Sequence, residues 1–306
     1  RKYKDKDGYR MSLQKFPLLK AHTVSILSTS KYRGADPNMV DEFGLNSLHR
    51  ASKSQTGGIV ELLINRGVDI HHANQFGETP LHTFAAVGFE TGVRLLLANG
   101  ARVNAADIDG LTPLHEAARG YPEVAELLLS HGAHVNAVDE CGMTPLLYAA
   151  TRVERVIEVL VEHGADVNTV DSHKGAALHY LAGKGCERSV ELLIANGADV
   201  NLADPRGWTP LHHAAGTAAP GVIGLLLRHG AQIEAPDKNG DTPLHEASKG
   251  QPEIVELLLP HGNKKITFKE ENSSKFQSKL LKPRIKHYGI SRKNSQNYCF
   301  IHLQVH

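Results

Sequence analysis

Between residues 46 and 262 the chain repeats one pattern of apolar and polar positions seven times. Each cycle opens with TPLH or a variant of it. The full motif stands at Thr79, Thr112, Thr209 and Thr242, and NSLH, TPLL and AALH stand at Asn46, Thr144 and Ala176. The starts fall at 46, 79, 112, 144, 176, 209 and 242, in steps of 33, 33, 32, 32, 33 and 33. A second apolar run closes each cycle with a triplet such as LLL, LLI or VLV, followed at constant distance by Gly67, Gly100, Gly132, Gly164, Gly197, Gly230 and Gly262. A fixed period of this length marks a repeat architecture in which each unit buries its apolar face against the next. The spacing predicts two helices per unit. Thr is a good N-cap, its hydroxyl accepting from a first-turn N–H, and Pro fits the first helical position, where its missing N–H does no harm. The longer second helix ends at Gly, suited to a left-handed C-cap. His131, His163, His229 and His261, each just before that Gly, lie where the helix dipole favours a proton donor or cation. An Asp-x-x-Gly run between units supplies a tight turn.

The stretches DIDGLTPLHEAA (107–118) with LLLSHGAHVNA (127–137), and DPRGWTPLHHAA (204–215), closely follow one family pattern. The chain resembles the ankyrin-repeat family over residues 34–262. The resemblance implies an all-α repeat solenoid, a stack of helix-turn-helix units joined by β-hairpin-like loops, with a concave inner face that binds proteins. We expect three regions: a basic N-terminal flank (1–33) with a degenerate capping repeat reaching into residues 12–40, an array of about seven repeats (34–262), and a basic, disordered tail (263–306). The fourth unit has Leu147 in the His position, and the fifth has Ala176-Ala177 for Thr-Pro and its turn glycine one place late (Lys174-Gly175). Neutral drift is the expected reading of these departures, with a soft point or a change of curve at these two units as the alternative.

His115-Glu116 and His245-Glu246 raise the question of a metal-hydrolase motif, in which a second His follows one turn on. The fifth positions are Arg119 and Lys249, cations in the ligand slot, so neither copy is a metal site. The same His phase is shared by His49, His82, His115, His179, His212 and His245. Six copies argue for a structural role, and the resemblance implies a ring that bridges the Thr hydroxyl and the backbone of the adjacent unit. The neighbouring Glu is expected to be solvated or partner-facing.

Charge is unevenly distributed. Residues 1–33 carry nine Lys/Arg against two Asp/Glu, residues 263–306 ten against two, and the middle fifteen against twenty-nine. That acidic body opposes nucleic-acid binding by the array and leaves association with nucleic acid or an anionic surface to the tail, where LKPRIKH (281–287) stands. The final NYCFIHLQV is strand-like, either a short docking peptide or the product of a misread exon boundary. Cys141, Cys186 and Cys299 fit neither a disulfide framework nor zinc pairs, which points to a reducing intracellular setting, cytoplasmic or nuclear. No apolar run approaches the length of a membrane span, and no secretory signal is recognised. The chain does not begin with Met, and we expect a fragment. AGKG (182–185) lacks the spacing of a P-loop, there is no G-x-S-x-G elbow, and Asn272-Ser273-Ser274 is a formal sequon without meaning in a cytosolic chain. No catalytic set, cofactor or small-molecule substrate is expected.

The expected function is a non-catalytic, monomeric scaffold or adaptor holding a partner protein. A second reading is a regulatory piece of a larger enzyme, ubiquitin-ligase adaptor or channel. By position in the family pattern, the binding residues are the hairpin tips and inner-helix ends: Phe43, Leu45, Phe76, Glu78, Asp109, Leu111, Cys141, Met143, Arg206, Trp208, Asn239 and Asp241, with Arg119 and Lys249 adding charge selectivity. Trp208, the only Trp, and Arg206 are the first expected anchors, since both residue types are enriched at interface hot spots. The resemblance also implies asparagine hydroxylation at Asn168 and Asn201.

Overall fold

The computed structural model describes residues 36–152, 154–173 and 175–261, and the backbone of 265–269, 288–292 and 298–303. The expected N-terminal flank and LKPRIKH therefore lie outside the described residues. Among the described residues fourteen helices run in pairs: α1 (Ser47–Ala51) and α2 (Gly57–Asn65), α3 (Pro80–Ala86) and α4 (Glu90–Ala98), α5 (Pro113–Ala117) and α6 (Pro122–Ser130), α7 (Pro145–Arg152) and α8 (Glu154–Glu162). The pairs continue as α9 (Ala177–Lys184) and α10 (Glu187–Ala195), α11 (Pro210–Gly216) and α12 (Pro220–Arg228), α13 (Pro243–Ser248) and α14 (Pro252–Leu258). These are the seven predicted units, and the fold is an all-α repeat solenoid. The chain divides at Asp166 and Val167 into two compact units, between the fourth and fifth repeats.

In the first unit the inner helices α1, α3, α5 and α7 pack in succession, and the outer helices α2, α4, α6 and α8 do the same. In the second unit α9 packs on α11 and α11 on α13, with α10 on α12 outside them. The Leu of each TPLH-like motif is buried, at Leu48, Leu81, Leu114 and Leu146 in the first unit and Leu178, Leu211 and Leu244 in the second. The outer helices add pairs three apart, such as Val60/Leu63, Val93/Leu96, Ile157/Leu160, Val190/Leu193 and Ile223/Leu226, all buried. Three-residue spacing puts both members on one helix face.

Strands β1 (Lys265–Lys269), β2 (Tyr288–Arg292) and β3 (Tyr298–Leu303) form an antiparallel sheet in the order β1-β3-β2, with Phe268 opposite Cys299 and Ile290 opposite Ile301. The β-branched and aromatic residues of KITFK and YCFIHL suit a pleated surface. β3 falls within NYCFIHLQV, the run whose strand-like character is visible in the sequence.

The repeated histidine ties each repeat to its successor. In the second repeat the Thr79 N–H donates to His82 Nδ1 (3.1 Å), and the Thr79 hydroxyl lies 2.9 Å from the same nitrogen. Nδ1 is thus an acceptor, so the proton sits on Nε2, which donates to the Leu111 carbonyl of the next repeat at 3.0 Å. His115 bonds Thr112 and the Met143 carbonyl (3.1 Å), and His212 bonds Thr209 and the Asp241 carbonyl (3.1 Å). His49 uses the Asn46 side chain instead and reaches the Glu78 carbonyl. Ala176 has no hydroxyl, yet its N–H still donates to His179 Nδ1, and His179 Nε2 meets the Leu202 carbonyl at 2.9 Å. His245 repeats the bond to Thr242. Only the fourth repeat departs in kind: Leu147 is buried with no ring to donate, and its N–H turns to the Thr144 hydroxyl at 3.3 Å. At the helix ends the His131 and His163 rings bond the Leu127 and Val159 carbonyls, the dipole-end role read from the sequence.

Burial pushes His49, His82 and His115 down to about 4, and lowers His179 and His212 as well. The folded state therefore needs these rings neutral, whereas the unfolded chain protonates them near 6.5. Their contribution is complete above about pH 6.5 and is lost as pH falls toward 4. At pH 5 each of the three strongest costs about 2 kcal/mol relative to pH 7.5. The lowered carboxylates Asp41, Asp204 and Asp237 act only below the usual Asp range, outside that window. Urea unfolding at pH 5.0 is expected to show a clearly lower midpoint than at pH 7.5; equal midpoints would contradict the neutral-ring bridge.

Candidate functional site

The hairpins between repeats follow from one side chain. Asp107 Oδ1 accepts from the Asp109 and Leu111 N–H groups, both at 2.9 Å, and the Gly110 N–H closes the turn on the Asp107 carbonyl. Asp41, Asp139, Asp171, Asp204 and Asp237 do the same for their own turns, and Asn74 stands in for Asp in the second repeat. Gly110 has φ 81°, and a Cβ there would meet the Asp139 backbone at 3.1 Å, so both conformation and space call for glycine. Successive hairpins also bond to each other through backbone alone. Phe43 O accepts from Gln75, Phe76 O from Ile108, and Asp109 O from Glu140 in the first unit; Arg206 O accepts from Lys238 in the second.

The second oxygen of the turn carboxylate faces a side chain nine residues later, just after the repeated His. Arg50 Nε donates to Asp41 Oδ2 at 2.8 Å, the Tyr148 hydroxyl to Asp139 Oδ2 at 2.9 Å, and the Tyr180 hydroxyl to Asp171 Oδ2. His213 Nε2 lies 3.5 Å from Asp204 Oδ2. In the third and seventh repeats this position is Glu. Glu116 and Glu246 are buried, which corrects the expectation of solvated or partner-facing residues. Each is neutralised three residues on, Glu116 by Arg119 (3.4 Å) and Glu246 by Lys249. The recurrence of His-Glu-Ala-x-Arg/Lys is thus an internal ion pair on a short helix. Arg119 is drawn in with it, its side chain only 13% exposed and its guanidinium 5.4 Å from the Tyr148 ring centre. It is not the outward charge expected, whereas Lys249 remains exposed.

The expected tips divide by chemistry. Leu45, Leu111 and Met143 are buried, at 6%, 3% and 2% exposure, and belong to the core. Their backbone closes the turn and their apolar side chains fold inward beside the next TPLH-like helix. Glu78, Trp208 and Asp241 hold the same place and stay half-buried. Phe43, Phe76 and Asp109 are half-buried, and Cys141, Arg206 and Asn239 are exposed. Sequence reasoning missed Met39 (72% exposed), Val40, Ile108 (59%) and Val138 (57%), apolar residues beside the first-unit turns. The signal was available, since none of them lies at an inward-facing repeat position.

In the second unit Arg206 is held at home. Its guanidinium covers the Trp208 ring at 4.3 Å and pairs with Asp204 Oδ2 at 3.1 Å. Trp208 Nε1 donates to Asp237 Oδ2, and its ring stacks on His212 and meets His213 edge-on. Burial alone would raise the Asp204 carboxyl, but the Trp208 and Arg206 N–H groups and the Arg206 guanidinium hold it below the usual range. Burial and the neighbouring His179 push His213 down to about 4. Asp237, Asp241 and Glu246 bring their carboxylates within reach of one another. However, Asp237 already holds its turn and Trp208, and Glu246 holds Lys249.

A second ladder was also missed. Asn104 Nδ2 donates to the Gly132 carbonyl while its Oδ1 accepts from the His134 N–H one repeat on, and Asn38, Asn168 and Asn201 repeat this exchange. Asn168 and Asn201, the expected hydroxylation positions, are therefore inter-repeat clips by geometry.

These placements separate core from surface by experiment. Leu111→Ala is expected to destabilise the fold by about 2–5 kcal/mol, as for a buried Leu elsewhere. Met39→Ala is expected to change stability by less than about 0.5 kcal/mol. Chemical denaturation of the two variants measures both; a mild Leu111→Ala would return that residue to the surface.

Among the described residues no helix is long and apolar enough to cross a membrane. No curated protein matches the chain significantly. The family model for ankyrin repeats, in blocks of three copies, matches residues 20–107, 48–139, 135–204 and 178–269. These overlapping matches cover most of the chain, in step with the helix pairs and hairpins described above, and the protein belongs to the ankyrin-repeat family.

Proposed function

We propose that the protein is a non-catalytic scaffold or adaptor that holds a partner protein along the hairpin tips and inner-helix ends of its repeats. Ankyrin repeats generally mediate protein–protein contact, which sets the class. The observation that carries the reading for this chain is the set of large side chains kept out of the core beside successive turns. They are Met39, Val40, Phe43, Phe76, Ile108 and Val138 in the first unit, and Trp208 with Arg206 in the second. Single exposed apolar residues need no explanation, but recurrence beside one structural feature favours an interaction surface. The turn carboxylates and backbone bonds between hairpins fix these positions in advance, so little conformational freedom is lost on docking. Cofactors and small-molecule substrates have no part in this reading, and the site of action is the cytoplasm or nucleus.

The test is a quantitative pull-down with the full chain and with the double variant Phe76→Ala, Trp208→Ala, after circular dichroism shows both folded. Binding partners are expected to be lost or weakened at least about tenfold in the variant, since truncating an aromatic anchor costs upward of about 2 kcal/mol. Undiminished capture by the variant would remove the tips from the binding surface.

A further inference from the structure

The fifth repeat breaks the tip pattern in a way that opens a site. The residue after the turn is Leu45, Leu111 or Met143 where it fills the core, and Trp208 or Asp241 where it stays half-buried. In the fifth repeat it is Gly175, with no side chain at all. Gly175 is not among the glycines with positive φ, so the backbone does not demand it. The Tyr180 ring takes the place a side chain would fill, and beside it the surface recedes into a recess of about 500 Å³. Its walls include Gly175, His179, Tyr180, Asp204, Arg206 and His213. The Tyr180 hydroxyl lies 2.9 Å from where a Gly175 Cβ would be, so any side chain at 175 would push the ring aside.

The chemistry of the walls selects a ligand class. Tyr180, His179 and His213 offer ring faces and edges, and burial keeps both imidazoles neutral at pH 7. Asp204 is ionised, and Asp171, behind Tyr180, adds a second carboxylate. Among the described residues of the wall the one cation is Arg206, a 61% exposed side chain at the rim. Residues 167–261 as a whole carry eleven Asp/Glu against seven Lys/Arg. Neutral rings beside a fixed carboxylate attract a cation, through ring quadrupole and charge together.

We propose that this recess takes one cationic side chain, Arg or Lys, presented by an extended segment of a partner protein, its charged end against Asp204 Oδ2 and its stem between the Tyr180 and His213 rings. The proposal rests on the protein-binding reading and names the chemistry of one contact within it. Arg206 then has a definite role. Its guanidinium bonds Asp204 Oδ2 at 3.1 and 3.2 Å and so occupies the anchor point when no partner is present. The pair opens to water on the Arg206 side alone, 61% exposed against 8% for Asp204, so the guanidinium can swing out into solvent and leave the carboxylate to a competing cation. Arg206 is the chain's own competitor for the site.

The single Trp208, against which Arg206 rests, reports on the site by fluorescence. The full chain is titrated with acetyl-Gly-Gly-Arg-Gly-Gly-amide and with the same peptide carrying citrulline or Glu in place of Arg. A saturable change is expected for the Arg peptide alone. Asp204→Asn and Gly175→Leu are expected to weaken it at least about tenfold, the cost of losing a charge partner or of forcing the Tyr180 ring into the recess. Arg206→Ala is expected to tighten binding, because it removes both the competitor and a like charge. Asn74 already serves as a turn residue, so Asp204→Asn keeps the fold even where Gly175→Leu fails to. No saturable change, an equal response to citrulline, preference for the Glu peptide, or weaker binding in Arg206→Ala would each overturn the proposal. Because the pull-down with Phe76→Ala, Trp208→Ala is scored separately, a partner lost there with no arginine response here defeats only this inference.

Discussion

The fold depends on an imidazole that must remain uncharged. One ring nitrogen receives the N–H of the residue that caps its own helix, and the other donates to a carbonyl of the next repeat. A single side chain thus sets where a helix begins and how far away its neighbour lies. Lys or Arg could not do this, having no acceptor, and Gln would hold the geometry less rigidly. The requirement explains the recurrence of TPLH better than any appeal to chemistry at the His. In a one-dimensional array stability is a sum of unit and interface terms, so a repeat such as the fourth can carry Leu147 without undoing the others.

The turn Asp shows a comparable division of labour. In every repeat but the second, where Asn74 takes its place, one oxygen is committed to the hairpin and the other faces the side chain nine residues on. Arg50, Tyr148, Tyr180 and His213 answer it with donors or near neighbours. Glu116 and Glu246 do not, and each brings a cation three residues later to balance the charge. Surface character therefore changes from repeat to repeat at a column that leaves the turn untouched.

The helices, their order and the role of the repeated His were legible because each rests on a local rule: a cap, a period, a terminal glycine. What lay beyond the sequence was depth. The column after the turn glycine varies, and variability reads as exposure. In the fold it is a threshold position, where Leu45, Leu111 and Met143 go inward while Glu78 and Asp241 stay at the boundary. Apolarity within that column was the overlooked signal. Burial of Glu116 was equally hidden, because its partner Arg119 looks on paper like one more surface charge. The Asn clips had a visible 33-residue rhythm from Asn168 to Asn201, but an Asn that can also hold a turn leaves two readings open. In the tail the strand-like NYCFIHLQV holds β3, whereas KITFK and YGISR sit among basic residues that drew attention away from their β-forming character.

The bonds that join neighbouring hairpins run from main chain to main chain, at Phe43 and Gln75, Phe76 and Ile108, Asp109 and Glu140, and Arg206 and Lys238. Such bonds are indifferent to the side chains they carry. Along the first unit the tips consequently stand tied to one another whatever non-proline residues occupy them, like teeth on a rack. Mutation can recut a tooth without moving it, so recognition by such an edge has two independent parts. The residues decide what is gripped, and the interval decides which linear partners can be gripped at several points at once.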